Sequence, residues 1–114
     1  DFNSNRNNML KLKNFVMIWS PYDDVLVPPE SGKFEFYKIS DHEHSHINNY
    51  NDIKNLPPIV NLFDSEQYIN DWLGLKTLNN TGRLHILETN CTHSGHKTEK
   101  CFEQLDDLTF PFLL

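Results

Sequence analysis

The sequence predicts an α/β domain, and three observations carry that reading. Two short apolar runs, Phe15-Val16-Met17-Ile18-Trp19 and Leu84-His85-Ile86-Leu87, have the length and continuity of strands buried in a parallel sheet. Each runs into a polar loop bearing proton-transfer groups: Ser20-Pro21-Tyr22-Asp23-Asp24 after the first, Glu88-Thr89-Asn90-Cys91-Thr92-His93 after the second. Segments with helical spacing lie between and after them. Strand, acidic loop, insertion, helix, strand, histidine loop, helix is the order expected at the end of a doubly wound sheet. There the working loops gather at the carboxyl ends of the strands.

Taken in order, residues 9–14 read either as the tail of a helix or as loop. Phe15 to Trp19 is the first strand, ended by Pro21 and the aspartate pair. Pro28-Pro29 and Ser31-Gly32 mark loop. Phe34, Phe36 and Tyr37 form an aromatic group, either core or a substrate wall. Residues 38–58 are polar, with Asp41-His42-Glu43-His44-Ser45-His46 and Asn48-Asn49-Tyr50-Asn51, the composition of an exposed surface insertion. Ile59-Val60-Asn61-Leu62-Phe63 is a short apolar piece after a double proline. Ser65 is a candidate N-cap for a helix reaching about Trp72, with Tyr68, Ile69 and Trp72 on one face and Gly74 as its end. Asn79-Asn80-Thr81-Gly82 reads as a turn, and Arg83 to Glu88 as the second strand. Gly95 precedes a last helix near Lys97 to Leu108, where Cys101, Leu105 and Leu108 make a stripe that packs on the sheet.

The bulk numbers exclude some functions. At 114 residues this is one domain's worth or less. Hydrophobic content of 38% is lean for a self-sufficient core. The first eight residues are almost all polar and include no initiator Met, which fits a chain cut from a longer precursor. A net charge of −6 with no basic stripe argues against nucleic acid, because neutralising phosphates needs clustered Lys and Arg. No apolar run approaches the roughly 18–20 residues of a membrane span. Cys91 and Cys101 are either a disulfide or two thiols; their number alone decides nothing. As a disulfide they bridge the histidine loop to the last helix. Asn79-Asn80-Thr81 and Asn90-Cys91-Thr92 are glycosylation sequons, with Asn79 the better acceptor because a glycan on Asn90 crowds His93.

The chemistry suggested by the two loops is that of a Ser–His–Asp triad. A serine hydroxyl is a poor nucleophile until a base takes its proton. Histidine suits that task with an unperturbed pKa of about 6.5. A carboxylate fixes the imidazole tautomer and stabilises the imidazolium. Asp24 and His93 are the candidates, with His96 as rival base. The run His42-x-His44-x-His46 places alternate histidines on one face if it forms a strand, but its composition is that of a surface loop. No metal or cofactor is assigned.

Asn14-Phe15-Val16-Met17-Ile18, Asp23-Asp24-Val25-Leu26-Val27-Pro28 and Phe34-Glu35-Phe36-Tyr37 together resemble the palmitoyl-protein thioesterases. So do Asp71-Trp72-Leu73-Gly74-Leu75-Lys76-Thr77-Leu78, Gly82-Arg83-Leu84 and Thr92-His93. The likeness covers residues 9–37 and 66–114 and corresponds to about the last third of such an enzyme. It implies that residues 1–114 are the C-terminal part of a single α/β-hydrolase domain, holding the last strands of a mostly parallel sheet. It implies a lysosomal or secretory-pathway enzyme that removes palmitate and related acyl groups from cysteine thioesters of proteins or small thiols. The family's acid falls on Asp24, whose spacing to the following Val-x-Pro fits better than that of Asp23; the histidine falls on His93. Ile59, Val60, Leu62, Phe63, Trp72 and Leu73 are candidates to line the acyl groove or to be core.

The chain departs from that pattern in the polar insertion and in having no Gly-x-Ser-x-Gly elbow. The nucleophile and the oxyanion-hole amides are therefore expected upstream, which makes the N-terminal part of the same enzyme a partner. The chain alone is expected to be inactive. The alternative is a binding module that kept the hydrolase fold and lost its nucleophile. A metal-binding or structural piece using the His run is a third reading.

Overall fold

The two apolar runs pair as neighbours. The computed structural model describes residues 2–38 and 57–113. In it β1 (Phe15–Trp19) and β4 (Leu84–Glu88) form a parallel pair, with Phe15 opposite Leu84, Met17 opposite Ile86 and Trp19 opposite Glu88. Parallel strands need a crossover, and here it carries β2 (Phe36–Tyr37), β3 (Ile59–Val60), α2 (Glu66–Ile69) and α3 (Leu75–Asn80). β2 and β3 pair antiparallel, with Phe36 opposite Val60 and Tyr37 opposite Ile59. The Lys38 N–H extends that pairing to the Pro58 carbonyl at 2.8 Å. The remainder of the expected insertion, with His42, His44 and His46, lies outside the described residues. α1 (Phe2–Leu10) precedes β1, and α4 (Glu99–Thr109) follows β4.

Period-two alternation sorts the strand residues into two faces. Met17 and Leu84 are buried on one, in a core with Leu62, Tyr68, Leu75 and Leu78. Met9, Leu10, Phe15, Phe34, Leu73 and Ile86 pack around it. On the other face the His85 ring stacks on Phe112 at 4.0 Å and its Nε2 donates to Asn14 Oδ1 at 2.9 Å. The strands are not buried on both faces: Met17 and Leu84, on one face, are buried, and the other strand residues are half-buried except the exposed Glu88.

Three elements differ from the sequence reading. α1 is rich in asparagine, a weak helix former, so periodicity gives little sign of it. Tertiary contacts hold it. Arg6 bonds the Asp71 carboxylate at 2.8 Å and the Asp71 carbonyl at 3.0 Å, and Arg83 bonds the Leu10 and Leu12 carbonyls, each at 2.8 Å. Ser65 does cap α2, accepting the Tyr68 N–H at 3.4 Å, but the helix ends at Ile69 rather than Trp72. Asp71 then enters the left-handed region at φ 55, which throws Trp72 off the helix. Gly74 does not simply end a helix. Its φ of 88 opens α3, and an added Cβ there would sit 3.0 Å from Leu10 Cδ2. Asp71 Oδ1 accepts the Lys76 N–H at 2.9 Å and the Thr77 N–H at 3.3 Å, while Oδ2 takes the Thr77 hydroxyl and Arg6. One carboxylate thus ties α1 to the first turn of α3.

Candidate active site

The parallel pairing brings two loops to the same end of the sheet. The ladder closes with the Thr89 N–H on the Trp19 carbonyl at 2.9 Å, and both chains then leave the sheet. After β1 the chain folds back at once. The Asp23 N–H bonds the buried Ser20 carbonyl at 3.1 Å, and the Tyr22 N–H bonds Ser20 Oγ at 3.1 Å. This turn aims the Asp23 side chain toward the β4 loop.

Asp23 Oδ2 lies 3.0 Å from His93 Nδ1, while its Oδ1 accepts the Val25 and Leu26 N–H groups, each at 2.9 Å. The Asp23 side chain is 7% exposed and that of His93 is 48% exposed. Burial works against the aspartate's charge. The Leu26 and Val25 amides and the His93 ring outweigh it and hold the carboxyl below its ordinary value. An ionised carboxylate only accepts, so Nδ1 carries a proton, and in the neutral form of the ring Nε2 presents its lone pair. A partly exposed imidazole with a free Nε2, fixed through Nδ1 by a buried carboxylate, can act as a general base.

The sequence reading put Asp24 on this imidazole, and the geometry differs. Asp24 is exposed, and its Oδ1 accepts the backbone N–H of His93 at 3.2 Å. The Asp23 side chain meets the ring instead. The physical reason is the Ser20–Asp23 turn, which sets direction from the strand end, whereas spacing to Val-x-Pro measures from the other side of the loop.

The β4 loop is held from within. Thr89, buried at the strand end, places Oγ1 2.7 Å from His96 Nε2. His96 therefore faces a threonine inside its own loop. Cys91 and Cys101 form a disulfide, with Cα atoms 6.5 Å apart, joining the loop to the first turns of α4. Asn90 and Gln104 exchange two hydrogen bonds across the same gap, at 3.1 and 3.3 Å. His93 then leads into the 3-10 turn Ser94–Lys97. Gly95 donates its N–H to Thr92 Oγ1 at 3.0 Å, and a Cβ there would lie 2.6 Å from that hydroxyl.

The other residues singled out in the sequence divide. Leu62 has no exposed surface and lies in the core, whereas Leu73 is half-buried against it. Ile59, Phe63 and Trp72 are exposed and Val60 is half-buried. Trp72 borders a cavity of 680 Å³ with Asn3, Arg6, Asn70 and Asp71. Asn79, at the end of α3, donates to the Tyr68 hydroxyl at 2.8 Å, and Asn90 is the exposed partner of Gln104. Tyr22, Val25 and Val27, which the sequence reading did not place in the groove, are exposed residues flanking Asp23. Val25 and Val27 belong to the stretch Asp23–Pro28 that carries the family resemblance.

Comparison with known proteins gives one answer. The family model described as palmitoyl protein thioesterase matches residues 1–93. The chain is 34% identical over 109 residues to palmitoyl-protein thioesterase 3 of Dictyostelium discoideum, covering 95% of this chain and 33% of that protein. It is 30% identical over 88 residues to palmitoyl-protein thioesterase 1 of Caenorhabditis elegans, covering 77% of this chain and 25% of that protein. The chain thus spans a third or less of the length of these relatives. With the parallel pair, the carboxylate on the imidazole and these matches taken together, the chain belongs to the palmitoyl-protein thioesterase family of hydrolases.

Proposed function

We propose that this chain supplies the histidine and the carboxylate of a Ser–His–Asp triad that hydrolyses long-chain acyl thioesters of cysteine. The observation that carries the reading is the 3.0 Å contact between Asp23 Oδ2 and His93 Nδ1 at the carboxyl ends of two parallel strands. His93 is the base and Asp23 orients it. The serine and the oxyanion amides come from an upstream part of the same enzyme, since the chain has no Gly-x-Ser-x-Gly.

The serine attacks the thioester carbonyl as His93 Nε2 takes its proton, and the oxyanion rests on backbone amides. The leaving thiolate, with a pKa of about 8.5, needs little help from an acid. Water activated by His93 then releases the fatty acid. Ile59, Val60, Phe63, Trp72 and Leu73 are the groove candidates that retain accessible surface. A disulfide and two sequons suit a lysosomal or secretory enzyme. Asn79 and Asn90 are the proposed acceptors.

The test is hydrolysis of a palmitoyl cysteine thioester by the full-length protein. His93→Ala should abolish it. Unchanged turnover in that variant overturns the reading. A wild-type protein that binds the thioester without hydrolysing it supports the inactive binding module instead.

A further inference from the structure

We infer that Asp24 is a positioning residue, which sets His93 by its main chain while Asp23 sets it by its ring. This rests on the triad reading above and adds to it a residue whose hydrogen bond goes to the main chain of His93 and not to its ring. Two neighbouring carboxylates reach from the β1 loop to one histidine. Asp23 Oδ2 takes Nδ1, and Asp24 Oδ1 takes the backbone N–H at 3.2 Å.

The need for a second contact follows from exposure. Within this chain the His93 side chain is 48% exposed, so the chain's own packing does little to constrain the ring. One hydrogen bond at Nδ1 fixes a distance but leaves the ring free to swing with its own backbone. The ladder bond from the Thr89 N–H to the Trp19 carbonyl ties only the root of this loop to β1, and the other restraints run within the loop or to α4: Thr89 to His96, Cys91 to Cys101, Asn90 to Gln104. They stiffen the loop without fixing it against the β1 loop. Asp24 does that, because its bond spans the two loops at the Cα of the working residue. The contact is one between an acceptor oxygen and an amide, so it does not depend on the carboxylate's charge. Asn can make it and Ala cannot.

That distinction gives the experiment. In the full-length protein, Asp24→Ala should lower kcat for a palmitoyl cysteine thioester by about tenfold, the worth of one hydrogen bond, with KM little changed. Asp24→Asn should recover kcat to within about threefold, since a neutral amide oxygen still accepts. The pH at which kcat/KM rises should be the same in all three proteins. Two outcomes overturn the inference: Asp24→Ala turning over like wild type while His93→Ala is dead, or Asp24→Asn as impaired as Asp24→Ala with a shifted pH profile. The second result makes the charge the agent. Activity surviving in His93→Ala instead overturns the triad reading, and this inference with it.

Discussion

The Asp23 carboxylate is fixed from both sides, by the His93 ring on one oxygen and by the Val25 and Leu26 amides on the other. The amides hold its rotamer from within the β1 loop itself. Replacing Asp23 by Asn keeps the amide-facing oxygen but turns an NH₂ toward Nδ1, forcing the proton onto Nε2. Asp23→Asn in the full-length enzyme is expected to lower kcat by about 10²–10⁴-fold with KM within a few-fold of wild type. Steady-state kinetics on a palmitoyl thioester reads it. Full activity in this variant removes Asp23 from the mechanism.

Reduction of Cys91–Cys101 should loosen the histidine loop. The bridge closes ten residues of separation, which in a chain-entropy account stabilises by about 2–3 kcal/mol. Cys91→Ser with Cys101→Ser is expected to lower the urea midpoint accordingly. The 91–97 amides should exchange faster with deuterium, while those of β1 are little changed. Equal protection in both proteins counts against a role for the bridge in holding the loop.

Acid should act on this fold through two aspartates. Asp23 and Asp71 both lie below the ordinary value of 3.8. For each, burial raises the value and hydrogen bonds outweigh it: for Asp71, the Thr77 hydroxyl, Arg6 and the Thr77 and Lys76 amides. Between the lowered native value and the unfolded one, the unfolded chain binds more protons, so stability rises with pH there. Their contribution is complete above about pH 4–5 and is lost as pH falls through the native values. Asp71→Asn should flatten the acid limb of a stability–pH curve. An unaltered limb contradicts this.

A methyl group at residue 95 should move the histidine. The Cβ of Gly95→Ala would lie 2.6 Å from Thr92 Oγ1, one residue from His93, so the turn must shift. Activity should fall in Gly95→Ala and return in part in Thr92→Ala/Gly95→Ala, where the clash is gone. The same kinetic assay checks both. No recovery in the double variant shows that another constraint holds Gly95.

In the core, Leu78→Ala is expected to cost about 2–5 kcal/mol, since Leu78 is fully buried between α3 and the sheet. Denaturant melts measure it. Leu62→Ala should cost a similar amount of about 2–5 kcal/mol, as a core residue rather than a groove residue.

Residue patterns reveal the strands more fully than the site. β1 and β4 are legible because continuous apolar runs ending in polar residues have few other uses. α4 shows through Cys101, Leu105 and Leu108. α1 and α3 are poorly legible because their stability is tertiary: an asparagine-rich helix held by Arg6 and Arg83, and a short helix started by Asp71 and Gly74. His93 stands out by its place after a strand. Two identical side chains in sequence, Asp23 and Asp24, cannot be told apart by composition. What separates them is one backbone hydrogen bond, from the Asp23 amide to the Ser20 carbonyl.

The antiparallel pairing of Phe36-Tyr37 with Ile59-Val60 has a consequence for the stretch between them. It brings Lys38 and Pro58 to within a 2.8 Å hydrogen bond, so the intervening stretch begins and ends at one place. Closing a loop there costs only about 0.6 kcal/mol more for each doubling of its length. A change in the length of the histidine-rich stretch is therefore cheap in loop-closure entropy, whereas a change in the reach from Asp23 to His93 alters the candidate site itself.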